Sequence, residues 1–187
     1  MMEGIVIRGV GGLYAVLSHG QIYECRGRGG LKRDRNILYV GDQVRFGDGA
    51  ITAILPRRNV LPRPPVANLD KLFIVIAHSD PLPNLYTLDK LTVIAEHCGV
   101  QPVIVFNKTD LEDPLSVSRI YAAVGYPCVS VCAKTGENVD ALRELMKGKT
   151  CAFAGLSGVG KSTLMNALAP DLIRETGEIS RKLQRGK

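Results

Sequence analysis

Residues 155–162 read Gly-Leu-Ser-Gly-Val-Gly-Lys-Ser, a match to the pattern G-x-x-x-x-G-K-[ST]. Glycines in such a loop let the backbone curl until successive N–H groups point inward at phosphate, with a helix N-terminus behind them. Lys161 is placed to reach β- and γ-phosphates, and the Ser162 hydroxyl to ligate Mg²⁺. Gly155, Leu156, Ser157, Gly158, Val159 and Gly160 supply the cradle, while Lys161 and Ser162 carry whatever catalysis the loop performs, Ser162 as the metal ligand. A second constellation, Asn107-Lys108-Thr109-Asp110, has the N-K-x-D pattern. Its chemistry is guanine readout. A carboxylate at Asp110 accepts from the guanine N1–H and exocyclic N2–H₂, whereas adenine would leave it unpaired, and unpaired buried polar groups discriminate strongly. The Lys108 stem can cover the base, and Asn107 can tie this loop to the phosphate loop. A third, shorter run, Cys132-Ala133-Lys134, is placed to present the backbone N–H groups of Ala133 and Lys134 to the guanine O6.

These runs matter only if strands and helices bring them together. From Asp70 onward the pattern alternates: strands over 72–77, 103–106, 128–131 and 150–154, helices over 85–97, 116–124, 139–147 and 161–169. This is the βαβ order of a mainly parallel sheet covered on both faces. Ligands in such sheets bind beyond the carboxyl ends of the strands, directly after Phe106, Val131 and Ala154, where the three motifs stand.

The first 56 residues differ. Short runs over 4–8, 13–18, 21–26, 42–46 and 50–55, rich in Val, Ile and Tyr and separated by glycine turns, predict an OB-like closed barrel. The loop over 26–35 holds five basic side chains and three glycines, suited to phosphate contacts of low sequence specificity. Tyr14, Tyr23 and Tyr39 are open to two readings, base stacking or packing within the strands. The proline-rich run over 57–65 reads as a stiff basic linker unsuited to paired strands. The expected division is therefore a barrel over 1–62 and an α/β P-loop domain over 63–187.

Charge agrees with a polyanion partner. The chain carries 24 Lys/Arg and 18 Asp/Glu, net +6. Residues 1–68 hold ten basic and five acidic side chains, 69–148 seven and ten, and 149–187 seven and three, so the basic excess lies at the two ends. Five cysteines without C-x-x-C spacing argue against a zinc knuckle or disulfide framework, and for reduced thiols in a cytoplasm. No apolar run reaches the ~20 residues of a membrane span, and Met1-Met2-Glu3-Gly4 lacks the build of a signal peptide. His19, His78 and His97 fall in a turn, at a strand end and near a helix end, and read as structural or solvent-facing. No residue of the chain reads as a water-orienting group. Cys132 and Cys128 read as packing residues.

With these residues in view, the chain resembles the circularly permuted GTPases. The 107–110 and 132–134 motifs precede the phosphate loop, the reverse of the usual order. The barrel ahead of the permuted domain and the run over 155–163, which adds Thr163 to the phosphate loop, resemble the RsgA family of small ribosomal subunit biogenesis GTPases. The resemblance implies a cytoplasmic monomer that hydrolyses GTP to GDP with Mg²⁺ on the small ribosomal subunit in late maturation, its barrel against rRNA and no membrane partner. Cys132 stands where that family usually has Ser, which a backbone-mediated contact tolerates. The family's His-Thr-Thr switch, D-x-P-G segment and C-terminal zinc-binding domain would follow the segment over 177–187, so the sheet is expected to be incomplete, exposing apolar strand 72–77. Two other readings stay open: a guanine-nucleotide-binding, RNA-contacting module without turnover, and an adenine-nucleotide P-loop protein in which 107–110 is accidental.

Overall fold

The computed structural model describes residues 1–27, 37–111 and 117–169. The expected basic loop, beyond its first two residues, and the segment over 177–187 lie outside them. The chain divides into two compact units, Met1–Asp70 with Ile94–Val100, and Lys71–Val93 with the chain from Gln101 onward.

In the first unit, β1 (Met2–Val10), β2 (Leu13–Ser18), β3 (Gln21–Gly27), β4 (Gln43–Gly47) and β5 (Ala50–Ile54) form a closed barrel in the order β1-β2-β3-β5-β4. Alternation drives it: in β4, Val44 and Phe46 turn inward while Gln43 and Arg45 face out. Val6, Val16, Cys25, Val44, Phe46 and Ile51 fill the interior. Antiparallel pairing of β1 with β4 and a short parallel contact of β3 with β5, at Arg26 and Gly27, close the ring.

The proline-rich run is not an unpaired linker. β6 (Val60–Pro62) and β7 (Pro65–Ala67) pair as an antiparallel hairpin, Val60 opposite Ala67 and Pro62 opposite Pro65. The prolines sit at the turn end of the ladder, where a missing N–H matters least. Side chains tether the hairpin to the barrel. Asn68 Nδ2 donates to Gly41 O at 2.9 Å, and Ala67 N donates to Val40 O at 2.8 Å. Arg57 donates to both oxygens of the buried Asp42, at 2.7 and 2.8 Å, with its guanidinium 4.8 Å from the Tyr39 ring centroid. That hydrogen bond holds the Arg57 guanidinium above its ordinary range. Tyr39 is thus engaged by Arg57, and Tyr23 packs on Phe46 at 5.2 Å.

In the second unit, β8 (Lys71–Ala77), β9 (Gln101–Asn107), β10 (Cys128–Val131) and β11 (Cys151–Ala154) form a parallel sheet in the order β10-β9-β8-β11. Among the described residues, four helices accompany them: α1 (Leu85–His97), α2 (Val117–Ala123), α3 (Val139–Met146) and α4 (Lys161–Leu168). Register aligns Ala77, Asn107 and Val131, so three strands end level.

The expectation that residues 72–77 would be exposed is overturned: all six are buried. β8 lies inside the sheet between β9 and β11. Phe73, Val75 and Ala77 pack with Val103, Val105, Leu142 and Leu164 on the face covered by α3 and α4. Ile74 and Ile76 line a groove with Leu88 and Leu91 of α1 on the other. Each fully buried Val, Leu, Ile or Phe side chain contributes about 1.5–3 kcal/mol.

Candidate functional site

The phosphate-loop sequence leaves β11 at Ala154, and Gly155 crosses directly against β8. An added Cβ there would stand 2.2 Å from Val75 O, and φ is +140°. The loop ends at Gly160 (φ +90°), where an added Cβ would stand 2.3 Å from Asn107 Nδ2. No side chain fits at either position, so the backbone curl that the pattern implies is enforced by contact with two neighbouring strands. Helix α4 then starts with Leu164 N donating to Gly160 O at 2.9 Å, anchored by the buried Leu164 side chain. The Lys161 ammonium donates to the carbonyl oxygens of Gly155, at 3.0 Å, and Leu156. Ser162 and Thr163 are exposed in the first turn of α4.

Asn107, buried at the end of β9, joins all three loops through one amide. Its Nδ2 donates to Val159 O of the phosphate loop at 2.8 Å, and its Oδ1 accepts from Ala133 N at 3.0 Å. Lys108 follows with φ +67°, and its ammonium donates to Asp80 O. Thr109 N donates to Val131 O at 3.3 Å and its hydroxyl to Glu137 Oε2 at 3.1 Å. Asp110 is exposed, and its Oδ1 accepts from Cys132 Sγ at 3.4 Å.

The result is a cleft of about 310 Å³ lined by Asn107, Lys108 and Asp110, by residues 132–134, and by Gly160 and Thr163. Seven of the residues singled out from sequence therefore share one cavity: Asn107, Lys108, Asp110, Ala133, Lys134, Gly160 and Thr163. Thr109 turns to Glu137 instead. Gly155, Leu156 and Val159 border the apolar groove beneath α1, and Ser157 and Gly158 are exposed. The Ala133 N–H, expected to face the base, is taken by Asn107. Cys132 is buried, as expected of a packing residue, but its thiol points at Asp110. Burial pushes the Cys128 thiol up, away from the thiolate a nucleophile needs.

Three positions escaped the sequence reading. Glu137 holds Thr109, Asp80 O holds Lys108, and Asn138 Nδ2 donates to Ser130 O at 3.0 Å, fixing the entry to α3. The strand-end rule applied after β8, as it was after β9, β10 and β11, points to Asp80. The turn-forming run Thr135-Gly136-Glu137-Asn138 marks the other two. Of the histidines, His78 is buried with its ring 5.8 Å from Phe106, while His19 and His97 are exposed; none lines the cleft. Among the described residues, no group of three or more His, Cys, Asp or Glu side chains is arranged to hold a metal, and no helix is long and apolar enough to cross a membrane.

The model of the RsgA GTPase family matches residues 54–187, and that of the RsgA N-terminal domain residues 3–50. A relative from Caldanaerobacter subterraneus subsp. tengcongensis, named small ribosomal subunit biogenesis GTPase RsgA, is 42% identical across the whole chain and 66% of its own length. A relative of the same name from Alkaliphilus metalliredigens is 39% identical, over 68% of its length. The crystal structure of YjeQ from Thermotoga maritima matches with a TM-score of 0.79 and 36% identity, over 91% of this chain and 66% of that one. That of YloQ, described as a circularly permuted GTPase, matches with a TM-score of 0.74 and 32% identity, over 91% and 65%. The chain thus spans about two thirds of the length of its relatives. Barrel, permuted motif order, converging loops and sequence matches agree: this chain belongs to the RsgA GTPase family.

Proposed function

We propose that the protein binds GTP in the cleft between residues 107–110, 132–134 and 155–163 and hydrolyses it to GDP and phosphate on the small ribosomal subunit, assisting late maturation. The observation that carries this reading is Asn107, whose single buried amide ties the base loop to the phosphate loop and to the third loop. Asp110 reads the guanine N1–H and N2–H₂ edge. With Ala133 N–H held by Asn107, donation to the guanine O6 falls to the Lys134 amide. The Lys108 stem covers the base.

At the other end, the loop amides and the start of α4 face the phosphates. Lys161 exchanges the carbonyls of Gly155 and Leu156 for β- and γ-phosphate oxygens, so the loop's own acceptors hold its charge in place beforehand. The exposed Ser162 hydroxyl, in the first turn of α4, fits a hard oxygen-seeking cation. Mg²⁺, if held there by Ser162, would neutralise charge on the phosphate oxygens. Catalysis in phosphoryl transfer is largely such positioning and charge stabilisation. Zinc has no ligand set among the described residues, and no step passes through it.

The barrel, with its basic excess over 1–68, contacts rRNA, and this binding should weaken steeply with salt. The reading carries with it a cytoplasmic, monomeric protein with no membrane partner. Asp110→Asn tests the site: in full-length protein, guanine affinity should fall and xanthine affinity rise, because the new amide donates to the xanthine C2 oxygen. An unchanged base preference would refute the guanine site. Turnover that small subunits leave unstimulated would refute the ribosomal role and favour a binding module without catalysis.

A further inference from the structure

A second cleft, of about 300 Å³, lies within the first unit and shares no residue with the nucleotide cleft. It is lined by the β1–β2 turn, Tyr14, residues 37–40 and Pro65 of the hairpin. Glycines keep the turn side free of side chains. A Cβ added at Gly9 would stand 2.8 Å from the Tyr14 ring, and one at Gly11 or Gly12 would meet nothing within 4 Å. Both rings of the cleft are held in advance. Tyr14 rests against the barrel core, and Tyr39 lies 4.8 Å from the Arg57 guanidinium, itself fixed on Asp42. Tyr23 packs on Phe46 instead and does not line the cleft.

Apolar surface and positive charge meet here. Val10 and Ile37, both lining the cleft, are 72% and 62% exposed, apolar area that a ligand would cover. Exposed Arg63 stands two residues before Pro65. The run over 26–35, with five basic side chains, starts beside the cleft: a Cβ added at Gly27 would stand 3.8 Å from the Tyr14 ring. Aromatic lining with cations around it suits a flat ring carried on a phosphate chain. A paired base is stacked in its helix and shows only an edge, whereas an unpaired base offers its face to an aromatic side chain. We infer that this cleft takes the base of one unpaired RNA nucleotide, its ring against Tyr14 and Tyr39 and its phosphates at the basic residues. The inference rests on the reading that the barrel contacts rRNA, and narrows it: the barrel grips a looped-out base, not a duplex groove. Every base has a π-face, so no strong sequence preference follows. The site also differs from the outer wall of β2 and β3, where Gln21 and Glu24 stand exposed among Leu17 and Ile22.

The test compares a short single-stranded RNA with a duplex of the same length, at one salt concentration, on full-length protein. Wild type should bind the single strand more tightly. Tyr14→Leu should weaken single-strand binding about tenfold, as for one lost stacking contact, and shift duplex binding less than about twofold. Tyr14→Phe, which keeps the ring, should hold single-strand affinity within about twofold of wild type. Wild type without preference for the single strand overturns the inference, as does Tyr14→Leu weakening both RNAs alike or neither. Competition by polyglutamate as strong as by single-stranded RNA overturns it in favour of an acidic protein partner. Should Tyr14→Leu fail to fold, Ile37→Ser, at an exposed position, decides by the same criterion with a selective loss of at least about threefold. Wild type that binds neither RNA, even at low salt, overturns the rRNA reading itself, and this inference with it.

Discussion

Replacing Asn107 by alanine removes one side chain from the meeting point of three loops, and its cost follows from the two bonds lost. Val159 O and Ala133 N both belong to buried residues, so each is left without its partner away from bulk water. An unsatisfied buried backbone group costs about 1–3 kcal/mol, so the pair costs about 2–6 kcal/mol. Against a domain stability of about 5–15 kcal/mol this is a large fraction. With a urea m-value of about 2 kcal/mol/M, the unfolding midpoint should fall by about 1–3 M. Guanine nucleotide affinity should fall at least about tenfold as well, since base loop and phosphate loop lose their common anchor. Urea unfolding and titration with fluorescent GDP, both on full-length protein, measure the two effects. Thr109→Ala is the control: it removes an exposed bond to Glu137, one residue from Asp110, and should cost under about 1 kcal/mol. If Asn107→Ala loses no more than that control while GDP binding holds, the loops are fixed by something other than this amide.

Two further substitutions probe the scaffold. Arg57→Ala leaves the carboxylate of Asp42, whose side chain is 0% exposed, without its guanidinium; the barrel should lose about 3 kcal/mol, the lower end of the usual range because Arg57 is itself a quarter exposed. Arg57→Lys should recover less than half of this, since one ammonium cannot repeat two parallel bonds, and thermal unfolding showing full recovery would contradict the bidentate picture. Burial first, then donation to Asp89, raises the Tyr121 hydroxyl well above its ordinary value of 10. The neutral form is therefore favoured in the folded state. Its contribution is intact below about pH 10 and lost as pH rises beyond it, because the unfolded tyrosine ionises first. Tyr121→Phe should cost about 1 kcal/mol at neutral pH and flatten the alkaline decline; parallel stability curves between about pH 9 and 11 would refute it.

Much of this was legible in the residues. Alternation and glycine spacing mark the five barrel strands, and the helix over 85–97 and the strand over 128–131 stand where periodicity and turn residues put them. The prolines of 57–65 misled, because a rule about central strands was applied to a hairpin whose prolines lie at its turn. Strand 72–77 misled in the other direction: its unbroken apolar run told of burial on both faces, but which elements cover it is a matter of sheet order, which local sequence does not carry.

The chemistry of each loop is a property of local sequence, since glycine torsions, a carboxylate's acceptors and a lysine's reach are fixed by residue type. That one buried amide joins three of them, that the Ala133 N–H is spent on Asn107, and that a thiol faces Asp110 were decided only when the strands paired. Those contacts span 22 to 52 residues of chain, and distance along the sequence says nothing about proximity until the sheet sets the register.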